Sequence, residues 1–335
     1  MSRQQHAPDL AGAGLIVLAA ACFGTLGPLS RFATEAGVDS LVLVTWRAGL
    51  GAACMLLFLV LRHATGSARQ RLRDLPARDR WFMAAAAVAN TILNLSVFVA
   101  FQRISIALAL LVFYLYPAFV ALVSVTWFGE HLDRIRWAAL VTSLVGTVLV
   151  VAGAGDIGQV DMLGVALSFV GALGQTFYVM AARHGFERVP GAQAAALTMG
   201  GATLLYLALG GFLALIGAGG IGITQPLASS DALVPVLLAG TVGAGIPTVS
   251  YILGIRRLGA PRAAILATLE PVVGVALAAL LLHEQPAALQ LVGGVLIIGA
   301  GVALQLRPRG EVAEHEAVAE EEDEDPDEAG GDYRG

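Results

Sequence analysis

The sequence predicts an all-α integral membrane protein in which ten transmembrane helices form two inverted five-helix repeats, with both termini in the cytoplasm. Three observations lead to this fold class: the long apolar segments, the placement of arginine along the chain, and a pattern that recurs at an offset of 154 residues.

The bulk composition excludes an ordinary soluble domain. The 335 residues are 57% hydrophobic and only 13% charged, and the mean hydropathy is +0.77. A soluble domain is about one quarter charged, and fewer charges could not cover its surface. The hydrophobic residues also occur in long runs, so lipid is the expected solvent and the bilayer an expected partner.

Ten apolar segments are each about 20 residues long, enough to cross a hydrocarbon core of ~30 Å. Turn residues or charges separate them. The predicted spans are 11–30, 41–61, 82–102, 106–128, 135–153, 162–182, 193–216, 233–254, 263–282 and 287–306.

Arginine placement predicts the orientation of these spans. Six arginines lie in 62–80, between the second and third spans, which places that loop in the cytoplasm. Alternation then gives cytoplasmic ends, 1–10 and 307–335. The opposite face holds only Arg31 and Arg103.

Residues 311–335 carry twelve acidic side chains and one arginine, so we expect a disordered tail. All twenty basic residues are arginine, which together with the alanine and glycine content favours a bacterial source.

A shift of 154 residues superimposes parts of the two halves, which read as 11–152 and 162–306. The coinciding residues are Tyr116-Pro117 with Glu270-Pro271, Glu130 with Glu284, and Arg103 with Arg257. Each half has five spans, an odd number, so the second half enters the membrane from the opposite side. Inverted repeats are a common plan of secondary transporters, whose substrate site lies near mid-membrane where the halves meet.

The same motifs resemble a known family. The segments from Tyr116-Pro117 to Gly129-Glu130 and from Glu270-Pro271 to His283-Glu284 look like two copies of the signature of EamA-type drug/metabolite transporters, and Thr45-Trp46-Arg47-Ala48 is similar to the family's second helix. The resemblance implies a ten-helix inner-membrane carrier, usually an exporter of amino acids, metabolites or drug-like compounds, with a central cavity. It does not imply a particular substrate.

Glu270 is the first candidate for a functional side chain, because an ionisable group inside a span is energetically expensive. It lies about eight residues into the ninth span, or ~12 Å deep at ~1.5 Å per residue. Pro271 is expected to free the carbonyl of Ala267 and weaken the helix. Glu270 would bind a substrate amine or carry a coupling proton; alternatively, it is a buried carboxylate that holds two helices together.

Arg47 and Trp46 form a second candidate pair in the second span. Arg47 would meet a substrate carboxylate or pair with Glu270; alternatively, it bonds backbone carbonyls or extends toward the membrane surface. Trp46 would stack on a substrate cation, or pack and anchor the helix at the interface.

Uncharged polar side chains form a third set, which suits a cavity between the halves. Most of them are in pairs three or four residues apart that share a helix face, and the two tyrosines of the fourth span precede Pro117. The members of the set are Asn90, Asn94, Tyr114, Tyr116, Gln175, Tyr178, Thr248 and Tyr251. Pro117 and Pro271 are the expected helix breaks. Glu130 and Glu284 end their helices on opposite faces, either as caps and ion-pair partners or as gating residues.

Other function classes are less well supported by the sequence. There is no H-E-x-x-H, G-x-S-x-G or phosphate-binding loop, so an enzyme or an ATP-driven pump is disfavoured, and no cofactor, metal or nucleic acid is expected. Cys22 and Cys54 lie in apolar segments, which suits packing rather than metal binding. A channel and a receptor or scaffold stay open as alternatives to a carrier. The oligomeric state is also open.

Overall fold

The computed structural model describes residues 9–64, 75–101, 103–104, 106–153, 161–217, 222–281 and 286–305. Glu284 and the acidic tail 307–335 lie outside the described residues. Within the described part of the chain the fold is all-α. Its helices are α1 Leu10–Gly24, α2 Leu26–Glu35, α3 Ser40–Ala64, α4 Ala77–Phe101, α5 Ile106–Phe113, α6 Tyr116–Phe128, α7 Arg134–Ala152, α8 Met162–Met180, α9 Gly191–Leu215, α10 Ser230–Gly240, α11 Ile246–Leu258, α12 Ala260–Ala267, α13 Leu269–Leu281 and α14 Ala288–Gln305.

Nine helical segments of the described chain are long and apolar enough to cross a membrane, and several of them join two consecutive helices. They are Leu10–Glu35, Ser40–Leu61, Ala77–Phe101, Leu108–Phe128, Arg134–Ala152, Met162–Gly185, Gly191–Leu215, Ser230–Leu258 and Ala260–Leu277. The tenth predicted span coincides with α14, whose apolar stretch Ala288–Leu304 is shorter. The chain is therefore a multi-pass membrane protein.

Helix α4 begins at Ala77, five residues before the predicted span. Arg78 and Asp79 follow Ala77. Charged residues end an apolar run in the sequence, but they do not end a helix. Span boundaries read from hydropathy therefore mark the lipid-facing part of a helix rather than its ends.

Three spans are broken near the centre of the fold. The α1–α2 break lies at Thr25, the α5–α6 break at Tyr114–Leu115, and the α12–α13 break at Thr268. Pro271, an expected helix break, lies three residues after the break at Thr268 rather than in the interior of a helix. It occupies the first turn of α13, as Pro117 does in α6, where the missing N–H has no helical partner to lose.

The helices of the first half pack on those of the second half in the same way as the second half packs on the first. Helix α1 packs on α11, α12 and α13, whereas α8 packs on α4, α5 and α6. Helix α3 packs on α9, and α7 packs on α14. The α7–α14 contact is close, since a Cβ on Gly146 would lie 2.7 Å from the carbonyl oxygen of Gly293.

Candidate functional site

A cavity of about 190 Å³ lies between the two halves of the chain. Its walls come from α1 to α5 of the first half and from α8, α11 and α13 of the second. Nine of the eleven cavity candidates line it: Arg47, Asn90, Asn94, Tyr114, Gln175, Tyr178, Thr248, Tyr251 and Glu270, and Pro271 lies beside them. Their role in substrate binding stays a prediction.

Glu270 reaches the cavity because the helix break places it second in α13. The side chain is half-buried and lines the cavity, and a carboxylate at this position is favoured by the helix dipole. Tyr114, at the α5–α6 break, lies next to the carboxyl group. Arg47 acts on it only at a distance, because among the described residues the two do not form a direct ion pair.

Arg47 instead bridges three segments by hydrogen bonds. Its Nη1 donates to Oδ1 of Asn94 at 2.5 Å, and its Nε and Nη2 donate to the carbonyl of Gly243 at 3.4 and 3.3 Å. Asn94 in turn donates a hydrogen bond from Nδ2 to Oδ1 of Asn90 at 3.0 Å. Backbone binding, one of the alternatives for Arg47, is therefore observed, and the guanidinium links α3 and α4 to the second half.

Gly243 is a participant that the sequence analysis did not identify. It belongs to a π-helical turn, Thr241–Gly245, between α10 and α11. Such turns widen the helix and often occur at functional sites. The closely spaced glycines ahead of Pro247 were the available signal, since glycine and proline weaken regular helical hydrogen bonding.

The remaining wall is mainly aromatic. Tyr251 accepts a hydrogen bond from Nε2 of Gln175 at 3.5 Å and meets Phe23 edge-on, with the ring centroids 6.2 Å apart. Phe98, Phe101 and Phe113 complete this wall. None of these phenylalanines was a sequence candidate, because a phenylalanine in a span looks the same whether it faces lipid, core or cavity.

Two candidates lie away from the cavity. Trp46 donates from Nε1 to the carbonyl of Ile223, 2.8 Å away in the segment after α9, and this agrees with the anchoring interpretation. Tyr116 is buried, with its ring centroid 5.4 Å from that of Phe113, and it interacts with the hydroxyl of Tyr251. Tyr116 therefore packs behind the residues that line the cavity and does not line it.

Glu130 lies where α6 ends. Gly129 ends the helix in a left-handed conformation with φ 64°, a common helix stop. The Oε1 of Glu130 lies 3.4 Å from Nε2 of His184, and the His184 ring stacks on Phe128 with centroids 4.0 Å apart. The two side chains are close enough to form an ion pair when His184 is protonated, and the ion-pairing and gating interpretations both stay predictions.

The described residues contain no group of three or more His, Cys, Asp or Glu side chains that could hold a metal ion. Cys22 and Cys54 are free thiols. The chemistry available at the cavity is therefore that of one carboxyl, one guanidinium, amides and phenols around aromatic surfaces.

Comparison with known proteins agrees with these features. The model of the EamA-like transporter family matches residues 10–152 and 162–306. The chain is 25% identical over 257 residues to "Uncharacterized transporter YdfC" of Bacillus subtilis, covering 77% of this chain and 79% of that protein. It is 26% identical over 204 residues to "Uncharacterized transporter sll1319" of Synechocystis sp., covering 60% and 59%. A crystal structure of another protein shares the fold, with TM-score 0.70 at 20% identity over 88% of this chain and 98% of that one.

Proposed function

The chain belongs to the EamA-like transporter family, and from this premise we propose that it is a secondary active transporter that exports a small organic solute across the bacterial inner membrane by alternating access. The family is one of transporters, not enzymes. The observation that carries the proposal is the placement of Glu270 at a broken helix, facing a cavity with walls from both halves.

The proposal includes ten spans arranged as two inverted repeats, 11–152 and 162–306, with α14 as the tenth span. The exchanged packing of α1 and α8 supports this arrangement. Such a bundle has two related conformations, which open the same cavity to either side. The arginine bias supports cytoplasmic termini.

We assign the recognition of a cationic group, or of a coupling proton, to Glu270. The guanidinium of Arg47 is already engaged by Asn94 and Gly243, whereas the Glu270 carboxyl makes no ion pair within the described part of the chain. The aromatic wall would hold the apolar part of a solute. The expected substrate is therefore a small amphipathic molecule with an amine.

Counterflow in proteoliposomes tests this function. Compounds whose distribution between medium and cytoplasm depends on the protein are first identified by untargeted metabolomics. Unlabelled compound inside the vesicles should then drive uphill uptake of labelled compound, as only a carrier allows. Flux that neither saturates nor shows counterflow would indicate a channel, and no flux of any compound would favour a receptor or scaffold.

Glu270→Gln tests the role of the carboxyl in the same assay. The matched control is Glu35→Gln, because Glu35 is exposed and pairs with Arg31 at 3.2 Å on the same helix. Transport by Glu270→Gln should fall at least ten-fold, while Glu35→Gln keeps wild-type rates. Unchanged, still pH-dependent transport by Glu270→Gln would refute the role of Glu270 as proton carrier.

A further inference from the structure

Two aspartate–arginine pairs lie at opposite ends of the helical bundle, away from the cavity. In the first pair, Nη1 of Arg103 lies 2.8 Å from Oδ2 of Asp161. In the second, Nη1 of Arg257 lies 3.7 Å from Oδ1 of Asp9. The two arginines coincide at the 154-residue offset, and the two aspartates are 152 residues apart.

Each aspartate also caps the helix that it begins. Oδ1 of Asp9 accepts a hydrogen bond from the backbone N–H of Gly12 at 2.9 Å, at the start of α1. Oδ1 of Asp161 accepts one from Leu163 at 2.8 Å, at the start of α8. The carboxylates are therefore held in place by their own helices and present a fixed charge to the arginine.

A glycine three residues after each aspartate lets the other helix approach. A Cβ on Gly12 would lie 3.0 Å from the Cβ of Arg257, and one on Gly164 would lie 3.2 Å from the Cβ of Arg103. The residue after each arginine, Leu258 or Ile104, packs on the same glycine. An aspartate, a glycine and an arginine thus recur in the same arrangement.

Each pair joins the two halves of the chain. Arg103 follows α4 and meets the start of α8, whereas Arg257 lies in the last turn of α11 and meets the start of α1. These helices also form the cavity walls, so the separation of either pair would part the halves at one end of the cavity.

We propose that the Arg103–Asp161 and Arg257–Asp9 pairs are the two gates of the transport cycle, the first closing the external end of the cavity and the second closing the cytoplasmic end. This inference rests on the alternating access proposed above. The external and cytoplasmic assignments follow the arginine bias.

Exposure of the paired side chains suits a contact that opens in every cycle. The side chains are 44% and 36% exposed in the Arg103–Asp161 pair and 54% and 27% exposed in the Arg257–Asp9 pair. Exposed ion pairs are weak and break easily. Hydrogen bonds from Arg103 and from the backbone of Leu163 also hold the pKa of Asp161 below its ordinary value, which favours the charged form of the pair.

Accessibility of a cavity thiol from each side of the membrane tests the gates. The reporter is Thr248→Cys in a background where Cys22 and Cys54 are alanine, and the reagent is a membrane-impermeant maleimide added to right-side-out or inside-out vesicles. Asp161→Asn and Asp9→Asn remove a charge, but asparagine caps a helix as well as aspartate does. Loss of the cap is therefore not the cause of any effect.

We expect Asp161→Asn to raise the labelling rate from the external side, and Asp9→Asn to raise it from the cytoplasmic side, each by about 1.5- to 5-fold. Arg103→Gln should act like Asp161→Asn, and the double variant should add little, because both remove the same contact. The control is Asp133→Asn, since Asp133 caps α7 through the N–H of Arg136 at 2.7 Å without pairing to another helix within the described chain.

Equal labelling of all variants from both sides would overturn the gates, as would an increase on the same side for Asp161→Asn and Asp9→Asn. The labelling does not depend on the substrate. A protein that shows counterflow with unaltered labelling keeps its proposed function and loses only the gates. Absence of counterflow counts against the proposed function, and the labelling still reports whether each pair closes one end of the cavity.

Discussion

Arg47 should be needed as arginine rather than as a positive charge, because its planar group serves two acceptors in different halves of the chain. Arg47→Lys keeps the charge but has one donor nitrogen in place of the three that Arg47 uses, so we expect it to lose the contact with Asn94 or the contact with the Gly243 carbonyl. A hydrogen bond to a charged group contributes about 1.5–3 kcal/mol, and hydrogen bonds between membrane helices average about 0.6 kcal/mol with a maximum near 1.7. We therefore expect the loss of one contact to cost about 1–2 kcal/mol.

Thermal unfolding in detergent micelles measures this cost. A loss of about 1–2 kcal/mol should lower the apparent Tm by about 2–6 °C. The control is Arg31→Lys, since the Arg31 and Glu35 side chains are 54% and 61% exposed, and exposed pairs contribute only about 0–1 kcal/mol. A double-mutant cycle of Arg47→Lys with Asn94→Ala should show a coupling of at least about 0.5 kcal/mol.

An Arg47→Lys protein as stable as the Arg31→Lys control would refute this reasoning. Additive effects of Arg47→Lys and Asn94→Ala would refute it too, because the two changes would then act on different contacts.

Three further predictions concern packing and anchoring, and thermal unfolding checks each. Gly24→Ala should lower the apparent Tm by overpacking, at a cost of about 1–3 kcal/mol, because its Cβ would lie 2.9 Å from the Glu270 carbonyl oxygen. The control Gly14→Ala lies in open space on the same helix and should leave the Tm unchanged. Equal Tm shifts for the two variants would contradict this prediction. Gly293→Ala should lower the apparent Tm by disturbing the α7–α14 contact. The control Gly299→Ala, whose Cβ would have nothing within 4 Å, should leave the Tm unchanged. An unchanged Tm for Gly293→Ala would be evidence against that contact. Trp46→Phe should lower the free energy of unfolding by about 0.5–1.5 kcal/mol, because its hydrogen bond is lost, and should keep the transport rate within two-fold of wild type. A ten-fold loss of transport would indicate that Trp46 takes part in substrate binding.

Helix-face periodicity explains why much of the cavity wall could be predicted. Asn90 and Asn94 are four residues apart, and Gln175 and Tyr178 are three apart, so each pair shares a helix face. Burial of polar groups in lipid is costly, and a shared polar face therefore indicates a cavity or a neighbouring helix. The structure places all four at the cavity.

Contacts that depend on tertiary placement could not be predicted in this way. Trp46 precedes Arg47 in the sequence, yet successive residues of a helix face different directions, and its indole binds the segment after α9. The hydrogen bonds from Arg47 to the carbonyl of Gly243 join residues 196 positions apart in the chain. The Asp9 and Asp161 caps are visible as helix starts, but their arginine partners are more than 50 residues away and become apparent only in the folded bundle.

The accessible carboxyl of Glu270 is the central claim about the site, and chemical labelling tests it most directly. A hydrophobic carbodiimide is applied to the reconstituted wild-type protein with and without saturating amounts of the transported compound, and mass spectrometry measures the modification of Glu270 and of Glu35. The proposal predicts that Glu270 is labelled, that the compound slows this labelling at least several-fold, and that labelling of Glu35 does not change. Labelling of Glu270 at the same rate with and without the compound, in a preparation that transports it, would contradict the proposal.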